Sequence, residues 1–449
     1  MNTNIFAGKR NLYMIGIGGV SMSALALFFQ ERGFFVCGCD AVVNEYTVSL
    51  DEKGIDVSIG SGGSRVESAD AVICSSAISE KNEDICRARQ KNIPVYTRAQ
   101  ALAYAASCFE NSIGIAGCHG KTTATAMCAH VLRACSGNCS AHIGGSDLTF
   151  GNYYGGGDKY FVTEACEYKG NFLSLDPSVA VVLNTDKDHL ECYGSEDRLL
   201  GAYIEYLRKA PAAIVCGDDK IARRVPYALT FGIGSDCDVS ASNVRSSRGR
   251  YSFNLRIFGK LFDRIRLNVY GKHNIYNALA ASSVGVYYGY PSSFIAEGLH
   301  AFQGVRRRFE RLGNFCGAEV IADYAHHPGE IAAAIVTAAE MTSGKLFVVF
   351  QPHTYSRTKL LFDDFLTVLA GVERLVIYKT FPAREYYDES GSALTLSRCL
   401  PNSLYVESMR ETEIYLRRSV ALGDTVLFLG AGDIYYVAEQ IVRRRNILF

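Results

Sequence analysis

Short apolar runs alternate with stretches whose apolar residues recur at helical spacing, almost from end to end of the chain. That alternation predicts βαβ units, largely parallel pairing and an α/β fold. Residues 12–17, 34–39 and 71–74 read as strands of a first block that closes near position 109. A second block begins with a strand at 112–116 and continues through 160–163, 179–183 and 212–216. Its later part, 239–270, is turn-rich and β-like and leads into a helix at 274–288. In the third block, strands are expected at 319–322, 346–350, 375–378 and 425–429, with a helix at 329–341. Polar or glycine-bearing residues follow many of these strands, at the edge where open α/β sheets bind ligands. The expected domains are 1–109, 110–311 and 312–449.

Length agrees, because 449 residues exceed one core and about 150 per domain suggests roughly three. Lys plus Arg equals Asp plus Glu, at 46 each. No global basic field argues for nucleic acid, so phosphate affinity must come from local loops. The 15 cysteines are odd in number and scattered, which suits reduced thiols better than a disulfide framework. The densest group, Cys128, His130, Cys135, Cys139 and His142, has the composition of a zinc site. However, Cys128, Val131, Leu132 and Cys135 fall at i, i+3, i+4 and i+7, the buried stripe of one helix. Residues 12–29, preceded by Lys9 and Arg10, imitate a secretory signal. Gly16, Gly18 and Gly19 interrupt that run where a strand would turn into a helix, and Met22, Leu25, Ala26 and Phe29 repeat at helical spacing. A first βα unit and a cytoplasmic protein are expected. No stretch is long and uncharged enough to span a bilayer, so no membrane insertion is expected.

The strand at 112–116 runs into Gly117-Cys118-His119-Gly120-Lys121-Thr122-Thr123 and then into the helix with the cysteine stripe. Glycines let backbone N–H groups approach phosphate oxygens, and the new helix adds its positive end. Lys121 is placed to reach β- and γ-phosphates and Thr122 to put its hydroxyl on Mg²⁺. The strict pattern wants a small residue where Ile115 stands, and Gly114 comes one place early. Nearer the start, Gly16-Ile17-Gly18-Gly19-Val20-Ser21 resembles a dinucleotide fingerprint with Ser21 replacing the third glycine, and Asp40 ends the next strand. A nucleotide site and a tight turn without ligand both fit that signature.

Two further strands deliver Glu164-Ala165-Cys166-Glu167 and Asn184-Thr185-Asp186-Lys187-Asp188-His189. A carboxylate beside bound nucleotide suits Mg²⁺, whereas His189 alone reads equally as a hydrogen-bonded histidine. Asn274 and Asn277 share one helix face, for nucleotide contact or for plain capping. Arg306-Arg307-Arg308 fits a phosphate clamp or a solvated basic turn. In the third block, Asp323-Tyr324-Ala325-His326-His327-Pro328 and Gln351-Pro352-His353-Thr354-Tyr355-Ser356-Arg357-Thr358 follow adjacent strands. Two such loops imply a small anionic or zwitterionic ligand. Neighbouring His326 and His327 favour hydrogen bonding over metal.

In order, the segments at 16–23, Asp40, Ser75-Ser76-Ala77, 117–123, 164–167, 184–189, 271–277, 307–310, 323–328, 351–358 and 430–433 resemble the Mur ligase family over essentially the whole chain. The resemblance implies an N-terminal Rossmann-like domain for a UDP-sugar, a central P-loop ATPase-type α/β domain and a C-terminal Rossmann-like domain for an amino acid. It implies ATP-dependent ligation through an acyl phosphate, in peptidoglycan precursor synthesis. Gly117, Cys118, His119, Gly120, Lys121, Thr122 and Thr123 would cradle ATP. Glu164 and His189, separated by 189 − 164 = 25 positions as in the family, would bind Mg²⁺ together with Thr122. Asn274, Asn277, Arg308 and Asp323 would complete the nucleotide site, and Lys121, Glu164, His189 and Arg308 would form the catalytic set. Gly18, Gly19, Ser21, Asp40, Ser75 and Ser76 would hold the UDP-sugar, and Tyr324, His326, His353 and Arg357 the amino acid. The loops at 351–353 and 356–358 favour the branch that takes UDP-N-acetylmuramate and L-alanine over the branch that reattaches recycled peptide. The chain departs from the family at Cys118, usually Thr or Ala, at Thr354, Arg in one branch, and at Cys166, an acid in some members. A nicotinamide dehydrogenase built on the Gly16 turn would leave the loop at 117–123 without a purpose.

Overall fold

The computed structural model describes residues 5–186, 190–234 and 236–444. Among them, three sheets carry the fold. The first holds β1 (Asn11–Ile15), β2 (Phe35–Asp40), β3 (Asp56–Ile59), β4 (Ala71–Cys74) and β5 (Val95–Thr97), in the order β3-β2-β1-β4-β5. Every neighbouring pair is parallel. The central strands β1 and β4 are apolar and buried almost throughout, as parallel strands covered on both faces must be. The edge strands β3 and β5 are half-exposed and carry no apolar run, so no pattern announces them.

The second sheet contains β6 (Asn111–Ala116), β7 (Cys139–Asp147), β8 (Gly151–Tyr154), β9 (Tyr160–Glu164), β10 (Val179–Val182), β11 (Ala212–Cys216), β12 (Leu229–Gly232), β13 (Val239–Ser247), β14 (Arg250–Ile257) and β15 (Lys260–Tyr270). Its order is β15-β14-β13-β12-β11-β10-β6-β9-β7-β8. The decisive feature is that β6 lies between β10 and β9, parallel to both. Three strand ends therefore meet there: the glycine loop after β6, Glu164 closing β9, and Asn184 after β10. Gly114 inside β6 has a packing cause. A Cβ there would sit 2.1 Å from the Tyr206 hydroxyl, so this glycine serves the core and not the phosphate loop. The helix Lys121–Ser136 buries Cys128, Val131 and Leu132 completely. Cys135 is half-buried and Cys139 is buried at the start of β7, which places these thiols in and around the core.

The third sheet holds β16 (Glu310–Phe315), β17 (Ala318–Asp323), β18 (Leu346–Phe350), β19 (Leu375–Tyr378), β20 (Ser403–Val406) and β21 (Thr425–Leu429), in the order β16-β17-β21-β18-β19-β20. Apolar layers cover both faces, one around Ile321, Val348 and Leu427 and the other around Val320, Val349 and Phe428. Antiparallel pairs include β7 with β8 and β16 with β17. The second is a tight hairpin whose turn residues Cys316 and Gly317 both have positive φ, 49° and 89°, the geometry that matches strand twist in two-residue turns.

The chain forms two compact units. One comprises Met1–Asn243, Phe253–Arg266 and Ile275–Gln303; the other comprises Val244–Ser252, Leu267–Asn274 and Gly304–Phe449. No described helix is long and apolar enough to cross a membrane.

Candidate active site

In the first unit, the loop after β6 opens the helix Lys121–Ser136. Its last glycine, Gly120, has φ +84°, and a Cβ there would lie 2.5 Å from Asn277 Oδ1. Backbone conformation and space therefore both demand glycine. Asn277 is buried against the loop, where it bounds the cradle. Asn184 clamps the loop from the other side. Its Oδ1 accepts from the His119 N–H at 3.0 Å, and its Nδ2 donates to the His119 carbonyl at 2.9 Å. Cys118 is buried, and its thiol donates to the Asp186 carbonyl at 2.9 Å. Thr122 is also buried, at the first turn of the helix.

Lys121 folds back across its own loop. Its ammonium donates to the Gly117 carbonyl at 2.5 Å, the Cys118 carbonyl at 3.2 Å and Glu167 Oε1 at 2.9 Å. The Glu167 side chain is wholly buried, at 0 % exposure, against 15 % for Lys121. Burial alone would favour loss of the lysine proton. Glu167 outweighs it, with Cys166 and Glu164 adding to the effect, and holds the ammonium charged above the ordinary lysine value. Glu164 lies in the same field, and its Oε1 accepts from the Gly144 N–H at 2.8 Å. His189, expected as a metal ligand, lies outside the described residues.

The N-terminal glycine turn belongs to the same unit. The Gly18 N–H donates to Asp40 Oδ2 at 2.9 Å, so the acid expected to hold the UDP-sugar is tied to the loop. Gly19 caps the helix Val20–Glu31. Ser21 Oγ lies 2.9 Å from His142 Nε2 and 3.3 Å from Arg98 Nη1. His142 Nδ1 in turn lies 3.1 Å from Thr163 Oγ1, one residue before Glu164. Burial, helped by Arg98, pulls the His142 imidazole down to about 4. Ser75 follows β4 and packs against Gly16, while Ser76 is exposed.

The second unit gathers a different set. Asp323 ends β17 and accepts from the Phe309 and Ala325 N–H groups, both at 2.7 Å. Burial raises its carboxyl above the usual range, against the pull of Arg308. The three arginines share aromatic partners, Arg306 and Arg307 over the Tyr435 ring and Arg307 and Arg308 over the Tyr324 ring. Arg306 pairs with Glu439 at 3.2 Å, and Arg307 donates to the Gly432 carbonyl at 2.8 Å. The Arg308 guanidinium lies over the Tyr324 ring at 5.1 Å. Asn274 donates to the Tyr270 carbonyl at 2.6 Å, a helix-entry bond. His326 and His353 face each other with ring centroids 5.9 Å apart, and Arg357 Nη1 lies 3.1 Å from His353 Nδ1. Gln351 bonds Asp433 Oδ1 at 2.6 Å and the Ile434 N–H at 3.1 Å, which ties the turn at 430–433 to the loop after β18.

Three family descriptions match in succession: Mur ligase family, catalytic domain, over residues 11–110; Mur ligase middle domain, over 115–285; and Mur ligase, glutamate ligase domain, over 307–432. The chain belongs to the Mur ligase family. It is 36% identical to a UDP-N-acetylmuramate–L-alanine ligase of Lachnospira eligens, covering 98% of this chain and 99% of that one. It is 37% identical to the enzyme of the same name from Clostridium acetobutylicum, covering 97% and 98%. Among solved structures, UDP-N-acetylmuramate–alanine ligase from Thermotoga maritima superposes with a TM-score of 0.85 at 29% identity, covering 97% of this chain and 99% of that one. A murein peptide ligase from Psychrobacter arcticus shares the fold, with a TM-score of 0.74 at 20% identity, covering 97% and 98%.

Four residues of this Mur ligase site received no role from the sequence. Glu167 pairs with a lysine 46 positions away, and Asn184 clamps a loop 65 positions away. His142 and Arg98 converge on Ser21 from 121 and 77 positions away. Glu167 and Asn184 stood out only as members of polar segments at strand ends and His142 only within the cysteine–histidine group, and Arg98 carried no signal.

Proposed function

We propose that this Mur ligase joins L-alanine to UDP-N-acetylmuramate in the cytoplasm, with conversion of ATP to ADP and phosphate, as a step of peptidoglycan precursor synthesis. The observation that carries the reading is Lys121, seated in a glycine loop between the strand ends that bear Glu164 and Asn184. The near full-length likeness to two ligases of that name supports the choice of substrates. We assign the domains as 1–109, 110–311 and 312–449.

A carboxylate does not react with an amine. The γ-phosphoryl group of ATP is therefore transferred to the sugar's carboxylate, and the amine displaces phosphate from the acyl phosphate. The first step brings anions together, and Lys121 and Arg308 offset their repulsion. Gly117, Gly120 and Thr123 are assigned to supply backbone donors to the phosphates, and Cys118 and His119, whose N–H groups go to Asn184, to shape the loop around them. Thr122 and Glu164 fit Mg²⁺, a hard cation that takes oxygen donors. Glu164 commits one oxygen to Gly144 and keeps the other for a metal, and His189 is assigned as a further ligand. Mg²⁺, when bound, neutralises charge on the phosphates. Gly18, Gly19, Ser21, Asp40, Ser75 and Ser76 are assigned to the sugar nucleotide. Asn274, Asn277 and Asp323 are assigned to ATP, and Tyr324, His326, His353 and Arg357 to the amino acid.

The test is ADP release with UDP-N-acetylmuramate, Mg²⁺ and a panel of amines. L-alanine is expected to stimulate it most. No ADP with any amine, or a preference for a tripeptide, refutes the assignment.

A further inference from the structure

The amine of an amino acid arrives protonated at about pH 7 and carries no lone pair, so some group must take its proton before attack. We infer that His326 is that general base, accepting the proton on Nε2. The inference rests on the reading that the nucleophile is an α-amino acid.

The tautomers of the two facing histidines follow from their partners. A guanidinium only donates, so His353 Nδ1, 3.1 Å from Arg357 Nη1, is an acceptor and its neutral ring bears the proton on Nε2. A carbonyl only accepts, so His326 Nδ1, 3.0 Å from the Tyr324 carbonyl, carries the proton and leaves the Nε2 lone pair open. Among the described residues, no protein group takes that Nε2. The facing rings thus present opposite characters. Arg357 and His353 Nε2–H offer donors to a carboxylate, and His326 Nε2 offers an acceptor to an ammonium, which is the pattern of a zwitterion.

The charges around His326 suit the role. Glu330 Oε2 lies 3.6 Å from His326 Nδ1, on the far side of the ring from the lone pair, where it stabilises the imidazolium once formed. Arg357 and Arg308 act in the opposite sense, and burial is the largest influence, so the resting ring stays neutral. The groups facing it are Glu330, Arg357, Arg308, His353 and the Tyr324 ring.

The balance is complete. The ammonium gives one proton to His326 Nε2, and the nitrogen lone pair forms the C–N bond to the acyl carbon. The C–O bond to phosphate then breaks, and phosphate leaves with the electron pair and takes the second amine proton. His326 returns its proton to water.

Hydroxylamine separates this role from others, because it is a neutral amine at about pH 7 and needs no base. Wild-type enzyme must first ligate L-alanine; if it does not, the proposed function fails and not this inference. In His326→Gln, alanine-dependent turnover is expected to fall about 10²- to 10⁴-fold, by far more than the KM for alanine rises. Turnover with hydroxylamine, read as hydroxamate, is expected to fall far less than turnover with alanine. The alanine rate of the variant should rise tenfold per pH unit, following the free amine. Equal losses with both nucleophiles, in a variant that melts at the wild-type temperature, overturn the inference, as does unchanged alanine turnover. If the glutamine variant melts early, His326→Ala with added imidazole decides: recovery of alanine turnover supports the role, and its absence refutes it.

Discussion

Replacing Lys121 removes more than a phosphate ligand. Its ammonium is the ion-pair partner of Glu167, a carboxylate with 0 % exposure, and two loop carbonyls lose a donor as well. Breaking a buried pair from one side leaves an uncompensated charge and costs about 3–5 kcal/mol. A whole domain has only about 5–15 kcal/mol of stability. At roughly 2–4 °C per kcal/mol for a domain of this size, melting should drop by about 6–20 °C. The assay is a double-mutant cycle of Lys121→Met, Glu167→Gln and the pair, followed by urea and thermal unfolding. Lys121→Met should lose both turnover and stability. Adding Glu167→Gln should restore stability but not turnover, with a coupling of about 1–3 kcal/mol. The folded lysine value is raised, so the pair's stabilisation is complete below about pH 10 and disappears only above it. The cycle should therefore give the same coupling at every neutral pH. A Lys121→Met protein that melts like the wild type, or zero coupling, refutes the pair; wild-type turnover refutes the role in phosphate binding.

Three other outcomes follow from the same geometry. His142 is buried and held at about 4, below its unfolded value of about 6.5, so the unfolded chain binds that proton more readily. Its share of stability is full above about pH 6.5 and falls by about 3 kcal/mol on acidification to about pH 4; His142→Gln should flatten the unfolding free energy over that window, and an unchanged slope contradicts the prediction. Gly120→Ala forces a Cβ into positive φ and against Asn277, at a cost of about 1–3 kcal/mol, and should raise the KM for ATP; a wild-type KM counts against the cradle. Glu164→Gln should shift the Mg²⁺ titration of turnover to higher concentration, and an unmoved titration argues against a metal ligand there.

Patterns that span a few residues were legible in the chain. Apolar runs marked the central strands, because a buried strand must shed its polar residues, and the cysteine stripe at helical spacing proved to line a core. The strand, glycine turn and lysine of 112–123 formed one continuous signal, since a helix must begin where a phosphate is to be held. Edge strands such as β3 and β20, half-exposed and short, left no such mark. Only the tertiary structure placed β6 between β9 and β10, and so decided which carboxylates stand beside Lys121. It also decided that Gly114 makes room for Tyr206, that Glu167 answers Lys121, and that Arg306 pairs with Glu439 while Arg307 bonds the Gly432 carbonyl. The reason is physical. Local spacing dictates which face of an element is apolar, whereas a charge becomes a partner, a ligand or a base only when distant segments close around it and exclude water.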